Sequence, residues 1–381
     1  MRSAVIVDAI RTPVGKRGGQ LSEIHAVDLA ALPLKAVTER NGVDPGLVED
    51  VILGCVTQSG EQSYNVARNA ALAAGFPEEV VGTTVDRMCG SGQQAAHFAA
   101  QGVIAGAYDV VIAGGVESMS RVPMGFNAQG PGMPFGPKMS ERYANGLVPQ
   151  GISAEMIADK WGLSRERLDS IAFDSHQRAD QATAEGRFES QILPVDTAAG
   201  VATRDEGIRA DSTLEALAAL KPAFKQDGRI TAANSSQISD GAAALLIMSD
   251  AKAKELGLEP MARFHAFALA GVDPVMMLTG PIPATYKAIE KAGMSISDVD
   301  LFEVNEAFAS VIGAWLDETG ADWDKVNVNG GAIALGHPLG CSGAKLMTTL
   351  VHEMHRTGAR FGLQAMCEGG GMANATILEL V

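Results

Sequence analysis

Two cysteines, one histidine and one asparagine stand in surroundings that suit chemistry by sulfur. Cys89 lies in TTVDRMCGSGQQAAHFAA, where a β-branched, strand-like run gives way to a helix that begins near Ser91. A thiol at that junction faces the unpaired amides and the positive dipole end of the helix, both of which favour the nucleophilic thiolate. A cysteine at a strand end is also often a buried small hydrophobe, so the motif alone leaves covalent catalysis and packing evenly matched. His337 sits between Gly336 and Pro338 in the glycine-dense VNVNGGAIALGHPLGCSGAK, just before a second S-G helix start. A loop histidine is usually a solvated side chain, but one fixed between Gly and Pro beside a helix start is placed to act as base or donor. Cys367 opens CEGGGMA at the end of another strand-like run, and the glycines after it let backbone N–H groups approach a developing oxyanion, which packing alone does not require. Asn305 and Glu306, in VNEAFASV, follow an apolar strand-like run, where a helix cap is the bland alternative.

One competing pattern overlaps the first motif. Gly90, Gly92 and Ala95 fit the G-x-G-x-x-A form of a dinucleotide fingerprint, with Glu117 at the end of the next strand-like run. It ranks below the thiol reading because this is not the first strand-helix unit of the chain, and because it leaves the other Cys and His motifs unexplained.

The elements that must position these residues follow a duplication. KAVTERNG at 35–42 is echoed by KAIEKAG at 287–293, and Gly42 and Gly293 stand 251 positions apart, as do Gly92 and Gly343. After each S-G pair a helical stretch leads into an apolar strand ending in Gly-Gly, DVVIAGGVESM in one copy and FGLQAMCEGGGM in the other. So long a period predicts a duplicated domain, and alternating strand and helix signals make each copy α/β with a largely buried sheet. At the same offset Gly340 is the counterpart of Cys89, so pseudo-twofold packing would bring the His337 loop against the nucleophile's loop. Residues from about 120 to 230 escape the repeat and read as an inserted loop domain. The expected division is an N-terminal half over 1–250, insert included, and a C-terminal half over 251–381.

A chain of 381 residues is long enough for two or three packed units. Its formal charge of −15, without a dense block of Lys and Arg, argues against a nucleic-acid partner. The start MRSAVIVDAIRTPVG has no signal-peptide pattern and no later run reaches bilayer length, so a cytoplasmic enzyme without membrane insertion is expected. The cysteines at 55, 89, 341 and 367 form no C-x-x-C pair and no zinc-finger spacing with His, so no metal site is expected.

Taken together, C-G-S-G at Cys89, N-E-A-F at 305–308, G-H-P at 336–338 and C-x-G-G-G at 367–371 resemble the full motif set of the thiolase family, in the family's order and over nearly the whole chain. The resemblance implies the thiolase fold, two related five-layered α/β/α/β/α halves with a loop domain inserted in the first. It implies cleavage or formation of the carbon-carbon bond of a 3-ketoacyl-CoA, with coenzyme A as substrate and no permanently bound cofactor. Cys89 would carry the acyl group, His337 would activate it, and Cys367 would be the second acid and base. One oxyanion hole would come from His337 with a water held by Asn305, and a second from the amides of Cys89 and Gly369. Ser236, in NSSQISDG, matches the family's pantetheine-contacting serine, and Arg209 an arginine near the nucleotide. A homodimer or homotetramer is implied, with 120–150 a site for further association. The chain departs from short-chain biosynthetic relatives at Pro149, Gln150 and Gly151, where they carry His-Met-Gly, so their acyl preference does not transfer. CVTQSGEQ and SSQISDG lean to the degradative branch, its steroid side-chain members included. The alternatives are a biosynthetic acetoacetyl-CoA thiolase, a non-catalytic acyl-CoA carrier, and a decarboxylating ketosynthase, which would pair its cysteine with two histidines.

Overall fold

Residues 2–381 are described by a computed structural model. Its first half holds strands β1 (Ala4–Arg11), β2 (Gly15–Lys16), β3 (Asp50–Gly54), β4 (Val81–Val85) and β5 (Val110–Ser118), with helices α1 (Ala26–Glu39), α2 (Val66–Ala73) and α3 (Ser91–Ala105). The segment outside the repeat contributes α4 (Pro137–Arg142), α5 (Gln150–Lys160), α6 (Arg165–Ala184), the hairpin β6 (Val195–Thr197) and β7 (Gly200–Ala202), and α7 (Leu214–Ala218). Then follow β8 (Ser239–Ser249), α8 (Asp250–Glu255), β9 (Ala262–Gly271), α9 (Pro281–Ala292), β10 (Leu301–Val304), α10 (Ala309–Thr319), α11 (Ala332–Leu335), α12 (Leu339–Thr357), β11 (Phe361–Glu368) and β12 (Met372–Leu380).

The strand order carries the duplication. The long path runs β10-β11-β12-β9-β1-β8-β5-β3-β4. From β3 to β1 the pairings are parallel, antiparallel, antiparallel, and from β10 to β9 they are the same. The two sets touch edge to edge where β1 meets β9, with Val5 opposite Arg263 and Ile6 opposite Ala262. Strands buried on both faces need covering on both sides. Helices α1 and α2 cover the first set on its outer face with Leu29, Leu34, Ala67 and Ala70, and α9 and α10 cover the second with Ala284, Ala288, Ile312 and Trp315. Between the sets lie α3 and α12, whose Ala95, Ala99, Val103, Met347, Leu350 and Met354 share one core with Ile6, Val111, Leu245 and Leu378.

Close approach of α3 and α12 depends on absent side chains. A β-carbon at Gly92 would lie 2.8 Å from the Gly340 carbonyl oxygen, and one at Gly343 would lie 2.2 Å from the Gln93 amide nitrogen. These glycines let the two helix starts meet backbone to backbone, and the Cys89 and His337 loops feed directly into those starts.

The inserted segment is less separate than its sequence implies. Ala154, Ile157, Leu168 and Ile171 of α5 and α6, with Leu163 in the turn between them, belong to the same core as Phe302, Ile312 and Trp315 of the second half. Their apolar stripe looks like that of an independent unit, but it is closed by α10. Among the described residues no helix is long and apolar enough to cross a membrane.

Candidate active site

Four loops converge where strands end and the central helices begin. After β4 the chain turns sharply: Ser91 Oγ accepts from the Arg87 amide at 2.8 Å and donates to the Met88 carbonyl at 2.6 Å, and Met88 is held at φ +47°. A non-glycine residue in the left-handed region is strained, and here it presents Cys89 one residue before the Gly90 cap of α3. Cys89 is buried, at 5% exposure, against Val56, Met119, Leu339, Leu346 and Met366.

Cys367, at the end of β11, is fully buried. Its sulfur accepts from Asn305 Nδ2 at 3.7 Å and faces the Asn305 carbonyl at 3.9 Å. The same Nδ2 lies 3.5 Å from His337 Nε2, so one amide bridges thiol and imidazole. Asn305 does not cap α10, which starts four residues later after Phe308. Its neighbour Glu306 anchors the turn instead, accepting from Ser175 Oγ at 2.6 Å, Asn327 Nδ2 at 2.9 Å and the Ile333 amide at 3.2 Å.

The His337 tautomer follows from its partners. Ser342 Oγ donates its one proton to the Pro338 carbonyl at 2.8 Å, so at 2.6 Å it must accept from His337 Nδ1–H. That leaves the Nε2 lone pair facing Asn305. The His337 amide is held in turn by the Gln237 carbonyl and Ser239 Oγ, each at 3.2 Å. Ser342→Ala would strand the Nδ1–H in a buried site, a loss of about 1–3 kcal/mol. A ten- to hundredfold drop in kcat with little change in KM is expected from steady-state kinetics.

Electrostatics corrects one expectation. The helix start was expected to favour a thiolate at Cys89, yet burial pushes this thiol up, and the neighbouring Cys367 and Glu368 add to the shift. The Gly369 amide and the amide of Cys89 itself oppose it, but less than loss of water costs. Burial likewise pushes Cys367 up to about 11 against the help of Asn305. Burial and the charge of Lys345 push His337 down to about 3, so its imidazole is neutral. Cys89 and His337 are thus both uncharged at rest.

His97, pushed down by burial to about 3, and His176, pushed down to about 4, are also neutral in the fold. In the unfolded chain each would titrate near ~6.5. Stability is therefore full above that pH and is lost as pH falls toward 3, because the unfolded chain takes up protons that the fold refuses. The urea midpoint should be lower at pH 5 than at pH 7.5.

The remaining expected residues lie around this centre. Gly369 is half-buried, and a β-carbon on it would come 3.5 Å from both Met88 Cγ and Gln150 Nε2. The departure at Gln150 therefore borders the Cys89 loop. Ser236 is half-buried and its amide donates to the Ala307 carbonyl at 2.9 Å, beside Asn305. Arg209 is exposed, and its amide donates to His176 Nδ1 at 3.1 Å. Gln237 joins these pieces, donating through Nε2 to the carbonyls of Gly207 at 2.9 Å and Ile333 at 2.8 Å.

Cys341 and Cys55 pack in other clusters than Cys89. Cys341 packs in the central core and burial pushes it up to about 12, while Cys55 packs behind the first sheet and is also raised by burial. The dinucleotide reading fails on space: Gly92 abuts the Gly340 carbonyl and Gly90 abuts Glu368. Glu117 is fully buried and accepts from the amides of Val56 and Thr57 at 2.9 Å and from Gly340 and Gln62 Nε2 at 2.8 Å, so it has no capacity left for a ribose.

Sequence reasoning overlooked Ser342 and Gln237. Ser342 had a signal, since it lies at the repeat offset from Ser91 and both hydroxyls brace the loop before their helix.

The chain is similar to known proteins over its whole length. The family model described as thiolase, N-terminal domain matches residues 4–251, and that described as thiolase, C-terminal domain matches residues 258–380. A steroid 3-ketoacyl-CoA thiolase of Mycobacterium tuberculosis is 51% identical over 100% of this chain and 94% of its own. A 3-ketoacyl-CoA thiolase of Bacillus subtilis is 46% identical over 100% of both chains. The crystal structure of the Bacillus anthracis acetyl-CoA acetyltransferase superposes with a TM-score of 0.92 at 42% identity, covering 100% of this chain and 99% of that one. With the two domain models together matching residues 4–251 and 258–380 and full-length relatives near half identity, this chain belongs to the thiolase family of acyltransferases.

Proposed function

We infer that this thiolase works in the degradative direction, cleaving a 3-ketoacyl-CoA with coenzyme A to acetyl-CoA and a shortened acyl-CoA. The observation that carries the assignment of roles is the single Asn305 amide within 3.5 Å of His337 Nε2 and 3.7 Å of Cys367 Sγ. His337 Nε2 takes the Cys89 proton as the sulfur attacks the 3-keto carbon. The amides of Cys89 and Gly369 receive the oxyanion. As the bond between C2 and C3 breaks, the electron pair stays on C2, where the Cys367 thiol supplies the proton. The imidazolium made in the first step donates from Nε2 toward the developing enolate oxygen. Acetyl-CoA leaves, the Cys367 thiolate takes the proton of incoming coenzyme A, and the new thiolate displaces Cys89 from its thioester. His337 returns the proton to Cys89, and the reverse sequence is Claisen condensation.

Ser236 and Arg209 are assigned to coenzyme A, Ser236 at the half-buried end near Asn305 and Arg209 on the exposed rim. No permanent cofactor is needed for any step. The division into 1–250 and 251–381 is supported by the matching pairings of the two strand sets. A homodimer or homotetramer is supported by β4, an edge strand whose Val81 is 53% exposed and whose outer hydrogen-bonding groups need a cover. A cytoplasmic, reducing setting is supported by four free cysteines.

The direction is tested by following coenzyme A-dependent loss of short, long and steroid-type 3-ketoacyl-CoA substrates. Thiolysis beyond the four-carbon substrate is expected. Activity confined to acetoacetyl-CoA and its synthesis would replace this reading with the biosynthetic one.

A further inference from the structure

Behind the nucleophile loop lies a carboxyl group that these steps leave unused. Side chains alternate along β11, so Glu368 points away from Cys367 and Asn305 and toward the start of α3. It is 0% exposed, yet neither carboxyl oxygen has a hydrogen-bond partner. On the neighbouring strand Asn374 pairs with Met366, which makes it the diagonal neighbour of Glu368 on the same face. Asn374 Nδ2 donates to the Gly90 carbonyl at 3.0 Å, while its Oδ1 is buried without a donor. Gly90 is wedged between the two: a β-carbon there would lie 2.0 Å from Glu368 Oε1 and 2.9 Å from Asn374 Nδ2.

A buried carboxylate without donors is strongly disfavoured, whereas a neutral acid has an O–H to give, and Asn374 Oδ1 is an unfilled acceptor on the same face. Arg87, Cys89 and Cys367 act electrostatically on Glu368, and the loop entering α3 and α3 itself also carry Asp86 and His97. Asp86 is occupied by the Met88 amide at 2.8 Å, and His97 is neutral. Arg87 favours ionisation of Glu368, but burial outweighs it and pushes the acid up to about 8. The charge of an ionised Glu368 acts directly against a thiolate on Cys89.

We propose that Glu368 is a positioning residue that works as a neutral acid, bracing Gly90 from behind so that Cys89 keeps its place, and that its ionisation opposes the Cys89 thiolate. The proposal rests on Cys89 being the nucleophile. Its test is alkylation of Cys89 by iodoacetamide as a function of pH, followed on the Cys89 peptide by mass spectrometry, which requires no turnover. In the parent enzyme the rate should rise with pH and then flatten above about 8, as the second charge arrives behind Gly90. In Glu368→Gln the profile should coincide with the parent below pH 7 and run about tenfold faster at pH 9, the equivalent of one pKa unit. A merely structural role would scale the rate alike at every pH. Profiles of the same shape in both proteins would overturn the proposal, as would a single unflattened rise in the parent, which needs no variant. An error about the nucleophile would instead appear as acyl label on another cysteine.

Discussion

Cys89→Ser should form no detectable acyl-enzyme and should lose at least about ten-thousandfold in thiolysis, measured as coenzyme A-dependent loss of 3-ketoacyl-CoA. The reason lies in the proton balance of a buried pair. His337 is pushed down to about 3, which makes it a weak base, so in the proposed mechanism its uptake of the Cys89 proton depends on mutual stabilisation of the charges formed on imidazole and sulfur. A thiol, with an ordinary pKa near ~8.5, is close enough for that exchange to work, whereas an alcohol is far less acidic. Circular dichroism and the urea midpoint should remain near those of the parent, since serine is smaller and Cys89 sits at a loop rather than in a strand.

Cys367→Ala should separate the two half-reactions. Cys89 and His337 remain, so the sulfur still adds to a 3-keto carbon, but the C2 carbanion has no proton donor and incoming coenzyme A has no base. Loss of a general acid and base typically costs ~10²–10⁴-fold, and here both halves of the cycle depend on the same sulfur. A drop of roughly a thousandfold or more in kcat is expected, with an acyl-enzyme that accumulates slowly and is not discharged by coenzyme A in rapid-quench experiments. An acyl-enzyme that coenzyme A discharges at the parent rate would mean that Cys367 is not the base for the incoming thiol. Asn305 sharpens this contrast, because its amide touches Cys367 and approaches His337, so its removal should affect both half-reactions.

Much of this site was legible as spacing. The Gly42–Gly293 and Gly92–Gly343 intervals mark the repeat, and the repeat by itself makes Gly340 the counterpart of Cys89. The structure realises that correspondence as contact between the starts of α3 and α12, because glycine at 92 and 343 leaves only backbone between them. The strand end at Cys367 and the helix start near Ser91 also fall where the pattern predicted.

What escaped reading was of two physical kinds. Hydrogen bonds among distant polar groups leave no periodicity, so the hold of Gln237 on the Gly207, Ile333 and His337 segments was invisible. The sign of the Cys89 shift depended on how completely the site excludes water, and a local motif reports the helix amides but not the depth of burial. For the same reason the stripe of α5 and α6 suggested an autonomous unit, since amphipathicity says that a face is covered but not by which element.

In the proposed mechanism one sulfur carries the acyl group while a second, brought beside it from the other half of the chain, moves protons. The most direct test is to react the protein with a 3-ketoacyl-CoA labelled in its acyl portion, quench with acid before coenzyme A is added, and map the label by peptide mass spectrometry. The label is expected on the peptide containing Cys89, in the wild-type protein and in Cys367→Ala alike. Label on Cys341, Cys55 or Cys367 while Cys89 stays unmodified would show that Cys89 is not the acyl carrier.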